Sequence, residues 1–110
     1  MLPDDVRLQH MLDAAEKAVA FTQGKSRADL ESNEMLMFAL VRLLEILGEA
    51  AKNVSEATKD TAPRIPWRQI MGTRDRQIHG YFAVDLDILW AIITHDLPPL
   101  IIELQQLRSK

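Results

Sequence analysis

The fold is decided by residues 33–57, which read NEMLMFALVRLLEILGEAAKNVSEA. Apolar residues recur there at helical spacing, which predicts one long helix from about Asn33, a suitable N-cap, to about Ala57. A helix that is apolar over so wide an arc is covered from more than one side. We interpret one side as the core of a helical bundle and the other as a dimer seam. The two apolar stripes are Leu36, Leu40, Leu43, Leu47, Val54 and Met37, Val41, Leu44, Gly48, Ala51.

The segments on either side of this helix also have helical patterns. Residues 4–23 predict a first helix that ends at Gly24, and residues 67–79 predict a third helix with Pro66 in its first turn. Asp85 is expected to cap a fourth helix. Pro98 and Pro99 would interrupt that helix, so Asp96 is predicted to cap a fifth. The expected fold is all-α, an up-and-down bundle of four to five helices over residues 1–110.

Composition excludes several classes of protein. The chain has 110 residues and no cysteine, so it is one domain without disulfides or thiolate metal sites. No apolar run approaches the ~20 residues of a membrane span, and the N-terminus lacks the pattern of a signal peptide. The cytoplasm is the expected location. Residues 64–81 carry a formal charge of +3, while the rest of the chain carries −6. This distribution favours a folded RNA or a nucleotide as ligand over long duplex DNA.

The chemistry of the chain is concentrated in residues 74–81, where Arg74, Asp75, Arg76, His79 and Tyr81 form an R-x4-H-x-Y pattern. Arginine offers a planar, permanently charged fork to a phosphate, and histidine transfers protons near neutral pH. Arg74 is therefore predicted to clamp a phosphate and His79 to act as general acid or base. Tyr81 would hold a phosphate oxygen, Asp75 would orient Arg74 or His79, and Arg76 would steer phosphates or remain solvated.

The spacing of the motif leaves its geometry open. Arg74 and His79 are about 140° apart around an ideal helix, so a straight helix does not bring them together. Either the helix loosens near Gly80, or a second copy of the motif faces the first across a dimer. Simpler roles also exist, since His79 could cap a helix C-terminus and Tyr81 could be a core aromatic.

Other side chains have structural interpretations. Trp67, Trp90, Met35 and Met37 are expected in the core, and Arg64 and Arg68 at the surface. His10 and His95 have no ligand-like neighbours, and neither a metal site nor a cofactor is expected. A polar stripe on the long helix is predicted to be a solvated face, or else to line the motif and support it. The stripe consists of Arg42, Glu45, Glu49, Lys52 and Glu56.

Several segments in order resemble the HEPN superfamily, and within it the HepT toxins of HepT–MNT toxin–antitoxin pairs. Residues 65–72 lead into the motif as they do in those proteins, and residues 80–86 leave it similarly. Residues 44–51 are similar to the family's second-helix pattern, and residues 96–98 to its C-terminal break. The resemblance extends from about Arg7 to Leu100.

The resemblance implies a dimer in which two motifs line one cleft. It also implies a metal-independent endoribonuclease that cleaves cellular RNA, with tRNA a prominent substrate class. The expected partner is an MNT-type nucleotidyltransferase antitoxin that transfers AMP onto Tyr81. Arg74 and His79 would be catalytic, and Glu49 is a further supporting residue that the resemblance suggests.

Two other hypotheses remain open at the level of sequence. One is a non-catalytic module that binds a nucleotide or RNA and serves a nucleotidyltransferase. The other is a purely structural helical dimer. The chain has no phosphate-binding glycine loop, so it is not expected to be the nucleotidyltransferase itself.

Overall fold

The computed structural model describes residues 3–78 and 85–109, without the side chains of residues 73–78. All regular structure in these ranges is helical, which confirms the all-α prediction. No helix in these ranges is long and apolar enough to cross a membrane. The helices are α1 (Asp4–Phe21), α2 (Arg27–Ser32), α3 (Glu34–Lys52), α4 (Glu56–Asp60), α5 (Trp67–Ile78), α6 (Leu86–Ala91) and α7 (Leu97–Arg108), with a π-helical turn (Ile92–Asp96) joining the last two.

Helix α3 is the centre of the bundle, because it packs against both α1 and α5 while α1 also packs against α7. Both predicted apolar stripes of α3 are buried within the single chain, since Leu40 and Leu47 of one stripe and Leu44 and Ala51 of the other are at most 2% exposed. The prediction of a core side is therefore confirmed, whereas the interpretation of the second apolar side as a dimer seam was wrong. Met35 was expected in the core, but 84% of it is exposed. Met35 is in the first turn of α3, which begins at Glu34.

Helix α3 ends earlier than its sequence pattern predicts. It stops at Lys52 rather than near Ala57, and Ser55 starts the separate helix α4 by accepting a hydrogen bond from the Thr58 amide. The Asp4 carboxylate accepts hydrogen bonds from the amide and hydroxyl of Ser55 and from the Thr58 hydroxyl. A contact between residues about fifty positions apart in sequence therefore fixes this corner, and periodicity within one helix cannot reveal it.

A break in the helix before the two prolines was predicted, but the predicted cap by Asp96 was wrong. Asp96 has helical backbone angles and no side-chain cap bond, so it does not cap a new helix. Instead the chain widens into a π-turn, in which the Leu97 amide donates to the carbonyl of Ile92 five residues earlier. One added residue per turn relieves the clash between a proline ring and the carbonyl four residues before it.

Helix α1 ends at Phe21 with Thr22 as its C-cap, two residues before the predicted end at Gln23. Gly24 follows in the turn with φ +73, the left-handed conformation expected of a glycine after a helix.

Helix α2 connects the start of the long central helix to the region after the motif. Arg27 donates to Glu31 within α2 and to Asp87 in the first turn of α6. This double contact raises the pKa of Arg27, with the Glu31 hydrogen bond as the larger cause. The start of α6 is thereby held against α2.

Candidate functional site

The described structure holds the first part of the R-x4-H-x-Y motif. Arg74, Asp75 and Arg76 occupy the C-terminal half of α5, as predicted, while their side chains lie outside the described residues. His79 and Tyr81 also lie outside them. Convergence of the motif side chains therefore stays a prediction.

The beginning of α5 is firmly anchored on the protein core. Trp67 is 9% exposed, and its indole Nε1 donates to the Ala62 carbonyl oxygen at 3.1 Å. The predicted role of Trp67 as a core anchor is confirmed. Trp90, expected to do the same, is half-buried.

A buried lysine supports the same end of α5. Lys59 is 8% exposed, and its Nζ lies 5.9 Å from the centroid of the Trp67 ring. The ammonium also contacts Met71 Sδ at 3.6 Å and a Glu56 carboxylate oxygen at 3.6 Å. A cation over an indole face is attracted to the ring quadrupole. The contacts fix α4 against the first turns of α5, so the helix that carries Arg74 has a defined direction.

The chain re-enters the described structure at the capped start of α6. Asp85 accepts hydrogen bonds from the amides of Asp87 and Ile88, which confirms its prediction as an N-cap. The ion pair between Arg27 and Asp87 follows directly. Both chain ends that flank residues 79–84 are thus fixed, one by α5 and one by this capped turn.

A polar cleft lies between α1 and α3, with a volume of about 390 Å³. Two features make it the leading candidate for a functional surface among the described residues. Five ionisable side chains line it. Its α3 wall also carries Glu49, which the family resemblance suggested as a supporting residue. The lining residues are Arg7, His10, Arg42, Glu45, Ile46, Glu49 and Ala50.

The charges in this cleft are nearly balanced. The Arg42 guanidinium lies 3.4 Å from a Glu45 carboxylate oxygen, although 69% of the Arg42 side chain is exposed. Arg7 has a buried Nε with no hydrogen-bond partner among the described residues. Two arginines face two glutamates, so the cleft is less suited to a free anion than a purely basic pocket would be.

The predicted polar stripe is confirmed in part as a solvated face, because Arg42, Glu49 and Lys52 are exposed while Glu45 is half-buried. Glu56 lies on α4 and not on α3. Whether the stripe also faces the motif stays a prediction.

Sequence reasoning missed Arg7 and His10 as members of the cleft. They are three residues apart on α1, a spacing that shares one helix face. Only the packing of α1 on α3 shows which face that is.

The remaining charged candidates lie away from this cleft. Arg64 is exposed and 3.8 Å from Glu103 of α7, and Arg68 is also exposed, so their predicted surface positions are confirmed. Among the described residues, no group of three or more histidines and carboxylates is placed to hold a metal ion.

Comparison with known proteins identifies relatives over nearly the whole chain. The ribonuclease HepT-like family matches residues 11–107. A protein of Thermococcus cleftensis named "Probable ribonuclease HepT" is 38% identical over 93% of this chain and 93% of its own. Proteins with RNase names from Methanocaldococcus jannaschii and Caldanaerobacter subterraneus are 33% and 35% identical, covering 84% and 92% of their own lengths. No solved structure matches.

Proposed function

Because this chain belongs to the ribonuclease HepT-like family of the HEPN superfamily and is an endoribonuclease, we propose that Arg74 and His79 are its catalytic residues. The observation that carries the proposal is the complete R-x4-H-x-Y set within a chain that matches an RNase family over residues 11–107. An arginine, a histidine and a tyrosine supply the groups that phosphodiester cleavage needs.

The reaction proceeds without a metal as an internal displacement. The ribose 2′-hydroxyl attacks the adjacent phosphorus, the bond to the 5′-oxygen breaks, and a 2′,3′-cyclic phosphate forms. His79 transfers a proton, a contribution of typically about 10²–10⁴-fold in rate. Arg74 binds the phosphate oxygens on which negative charge increases.

Neighbouring residues complete the proposed site. Asp75 orients Arg74 or His79 through a hydrogen bond, and Arg76 steers the substrate phosphate. Tyr81 binds a phosphate oxygen. Glu49 supports the site from α3, where its position on an exposed polar face leaves it accessible to a second motif-bearing helix.

The site is completed in a homodimer in which two motifs line one cleft. The angle of about 140° between Arg74 and His79 on an ideal helix supports this arrangement. Because one straight helix directs these two side chains to different sides, a second copy is needed to place an arginine and a histidine in the same cleft. The helical backbone of α5 continues through Ile78, which keeps Arg74 within a regular helix.

The biological role that fits this site is that of the toxin in a toxin–antitoxin pair. Its substrate is cellular RNA in the cytoplasm, with tRNA the leading class. The partner is an MNT-type nucleotidyltransferase that transfers AMP onto Tyr81. The added phosphate and nucleoside would block the cleft by bulk and by repulsion of the RNA backbone.

The test is cleavage of total tRNA in EDTA by unmodified protein, whose intact mass confirms that Tyr81 carries no AMP. We expect cyclic-phosphate ends from the wild type and a loss of about 10²–10⁴-fold in His79→Ala. His95→Ala is the matched control, because His95 is exposed in the π-turn outside the motif. Equal cleavage by His79→Ala would reject the assignment, while RNA binding without cleavage by wild type would favour a non-catalytic binding module.

A further inference from the structure

The cleft between α1 and α3 contains a half-buried arginine whose hydrogen-bonding groups are unused. The buried Nε of Arg7 has no hydrogen-bond partner among the described residues. Its guanidinium also forms no ion pair with a carboxylate in the part of the chain that the structure describes. Buried donors are normally satisfied, and all five N–H groups of a guanidinium are donors. A ligand with two adjacent acceptors would therefore complete Arg7.

The opposite wall of the cleft supplies acceptors and a little apolar surface. Glu45 of α3 has 30% of its side chain exposed, and one of its carboxylate oxygens lies 3.4 Å from Arg42 Nη1. A carboxylate has about four lone-pair sites, so this one long contact leaves room for further donors. Glu49 lies one helical turn further along the same wall, and Ile46 and Ala50 line the cleft beside these carboxylates.

A cleft with donors on one wall and acceptors on the other fits a neutral, planar ligand better than a free anion. Guanine has the matching pattern. Its N7 and O6 are adjacent acceptors that an arginine fork binds, and its N1–H and 2-amino group are adjacent donors that a carboxylate can accept. Adenine has a lone pair at N1 in place of the donor, so the same carboxylate would repel it.

The size and the rim of the cleft also suit a nucleobase. Its volume of about 390 Å³ lies within the range of ordinary small-molecule sites, about 300–1,000 Å³. His10 lines the cleft and is exposed, so its imidazole is available to stack on an unpaired base.

We propose that the cleft between α1 and α3 binds a guanine base of the RNA substrate, with Arg7 donating to O6 and N7 and Glu45 accepting from N1–H and the 2-amino group. This inference rests on the proposed function and adds base specificity to it. Glu49, which supports the motif in the proposed site, lines the same cleft, so a base bound there lies beside that site. A free nucleoside triphosphate fits less well, because its phosphates would meet two carboxylates.

Calorimetric titration of GMP, IMP and AMP onto the wild-type protein tests the base pattern, because the three nucleotides share the same ribose and phosphate. IMP lacks only the 2-amino group of GMP. We expect IMP to bind about tenfold more weakly, the effect of losing one hydrogen bond to a charged group. AMP should bind more weakly still, since its N1 presents a lone pair to Glu45.

Substitutions in the cleft assign the two edges of the base. Glu45→Gln should remove most of the difference in affinity between GMP and IMP. Arg7→Lys should weaken both nucleotides by the same factor, because both have O6 and N7 and a lysine lacks the planar fork.

Glu103→Gln is the matched control for Glu45→Gln. The Glu103 side chain is 27% exposed and lies 3.8 Å from Arg64, so it resembles Glu45 in burial and in having an arginine neighbour. This variant should bind GMP as the wild type does. Far-ultraviolet circular dichroism checks that the helicity of each variant is unchanged.

A second titration determines whether RNA supplies the base. Oligouridine with and without one central guanosine is bound to His79→Ala, which leaves the RNA uncleaved. We expect the guanosine to increase the affinity about tenfold, and GMP to compete that increase away. Inosine at the same position should give a smaller increase.

Equal affinities for GMP, IMP and AMP would overturn the guanine site, and so would discrimination that Glu45→Gln leaves intact. GMP binding with which the guanosine-containing RNA does not compete would assign the cleft to a free nucleotide and overturn RNA as the source of the base. Failure of the catalytic proposal looks different, because His79→Ala would then cleave RNA as the wild type does while the discrimination between GMP and IMP persists.

Discussion

At the scale of the residue, Asp4 is the side chain that most clearly joins distant parts of the chain. Its carboxylate accepts hydrogen bonds from Ser55 and Thr58, which belong to the start of α4. These bonds lower the pKa of Asp4, with the Ser55 hydroxyl as the largest cause. The charged form of the carboxylate therefore stabilises the corner between α1 and α4.

The lowered pKa of Asp4 predicts a pH-dependent contribution to stability. A group whose folded pKa lies below its unfolded value stabilises the fold fully above the unfolded value, here the ordinary 3.8. That contribution is lost as the pH falls through the folded pKa. Asp4→Asn should lower the melting temperature at pH 7, and the difference from wild type should shrink as the pH falls below 3.8 and through the lowered pKa of the folded state.

Thermal denaturation followed by circular dichroism at a series of pH values measures this effect. Asp5→Asn is the matched control, because Asp5 shares the first turn of α1 and the same helix dipole. A pH-independent difference between Asp4→Asn and wild type would show that the carboxylate charge is not the stabilising feature.

At the scale of the element, the π-turn before Pro98 is stabilised by one hydroxyl group. Thr94 Oγ1 donates to the Trp90 carbonyl oxygen at 2.8 Å within the half-buried segment that joins α6 to α7. Widening of a helix loosens the regular amide-to-carbonyl ladder, so side-chain bonds to its carbonyls gain importance. The Thr94 hydroxyl therefore stabilises the π-turn between α6 and α7, where Asp96 makes no capping hydrogen bond.

Removing that hydroxyl should weaken the joint by a modest amount. Thr94→Val keeps the shape of the side chain but loses the donor, and we expect a loss of about 0.5–1.5 kcal/mol in the free energy of unfolding. Urea denaturation of the protein measures the loss. Thr94→Ser keeps the donor and should retain most of the stability, so equal losses in both variants would assign the effect to packing.

At the scale of the whole molecule, the charge distribution limits the electrostatic contribution to RNA binding. Residues 64–81 carry +3, whereas the remainder carries −6. Single-stranded RNA contacted by about three cations should bind with a log–log salt slope of about −2. Binding should therefore weaken much less with salt than it does for strongly basic RNA-binding proteins.

Titration of RNA onto His79→Ala at several salt concentrations measures this slope without cleavage. Arg76→Ala should make the slope shallower by about 0.7, the contribution of one phosphate contact. Arg108→Ala, in the last turn of α7, should leave it unchanged. A steep slope that neither substitution alters would place the RNA on a different surface.

Much of the fold was predictable because its signals are local. Apolar spacing marked α1 and the core side of α3, Gly24 marked the end of a helix, and Asp85 marked the start of another. The proposed catalytic residues also rest on a local signal, since the R-x4-H-x-Y pattern depends on residue types and their separation along the chain, whereas their convergence stays a prediction. These features arise from backbone geometry within a few residues.

The sequence by itself determined an all-helical domain, the approximate bounds of several helices and the R-x4-H-x-Y pattern on which the proposed site rests. Only the tertiary structure decided that α3 stops at Lys52, that Met35 is exposed, and that Arg7 joins the cleft beside α3. The physical reason is distance along the chain. Helical periodicity reports which residues share a face, whereas burial and polar partners depend on which other helix packs against that face.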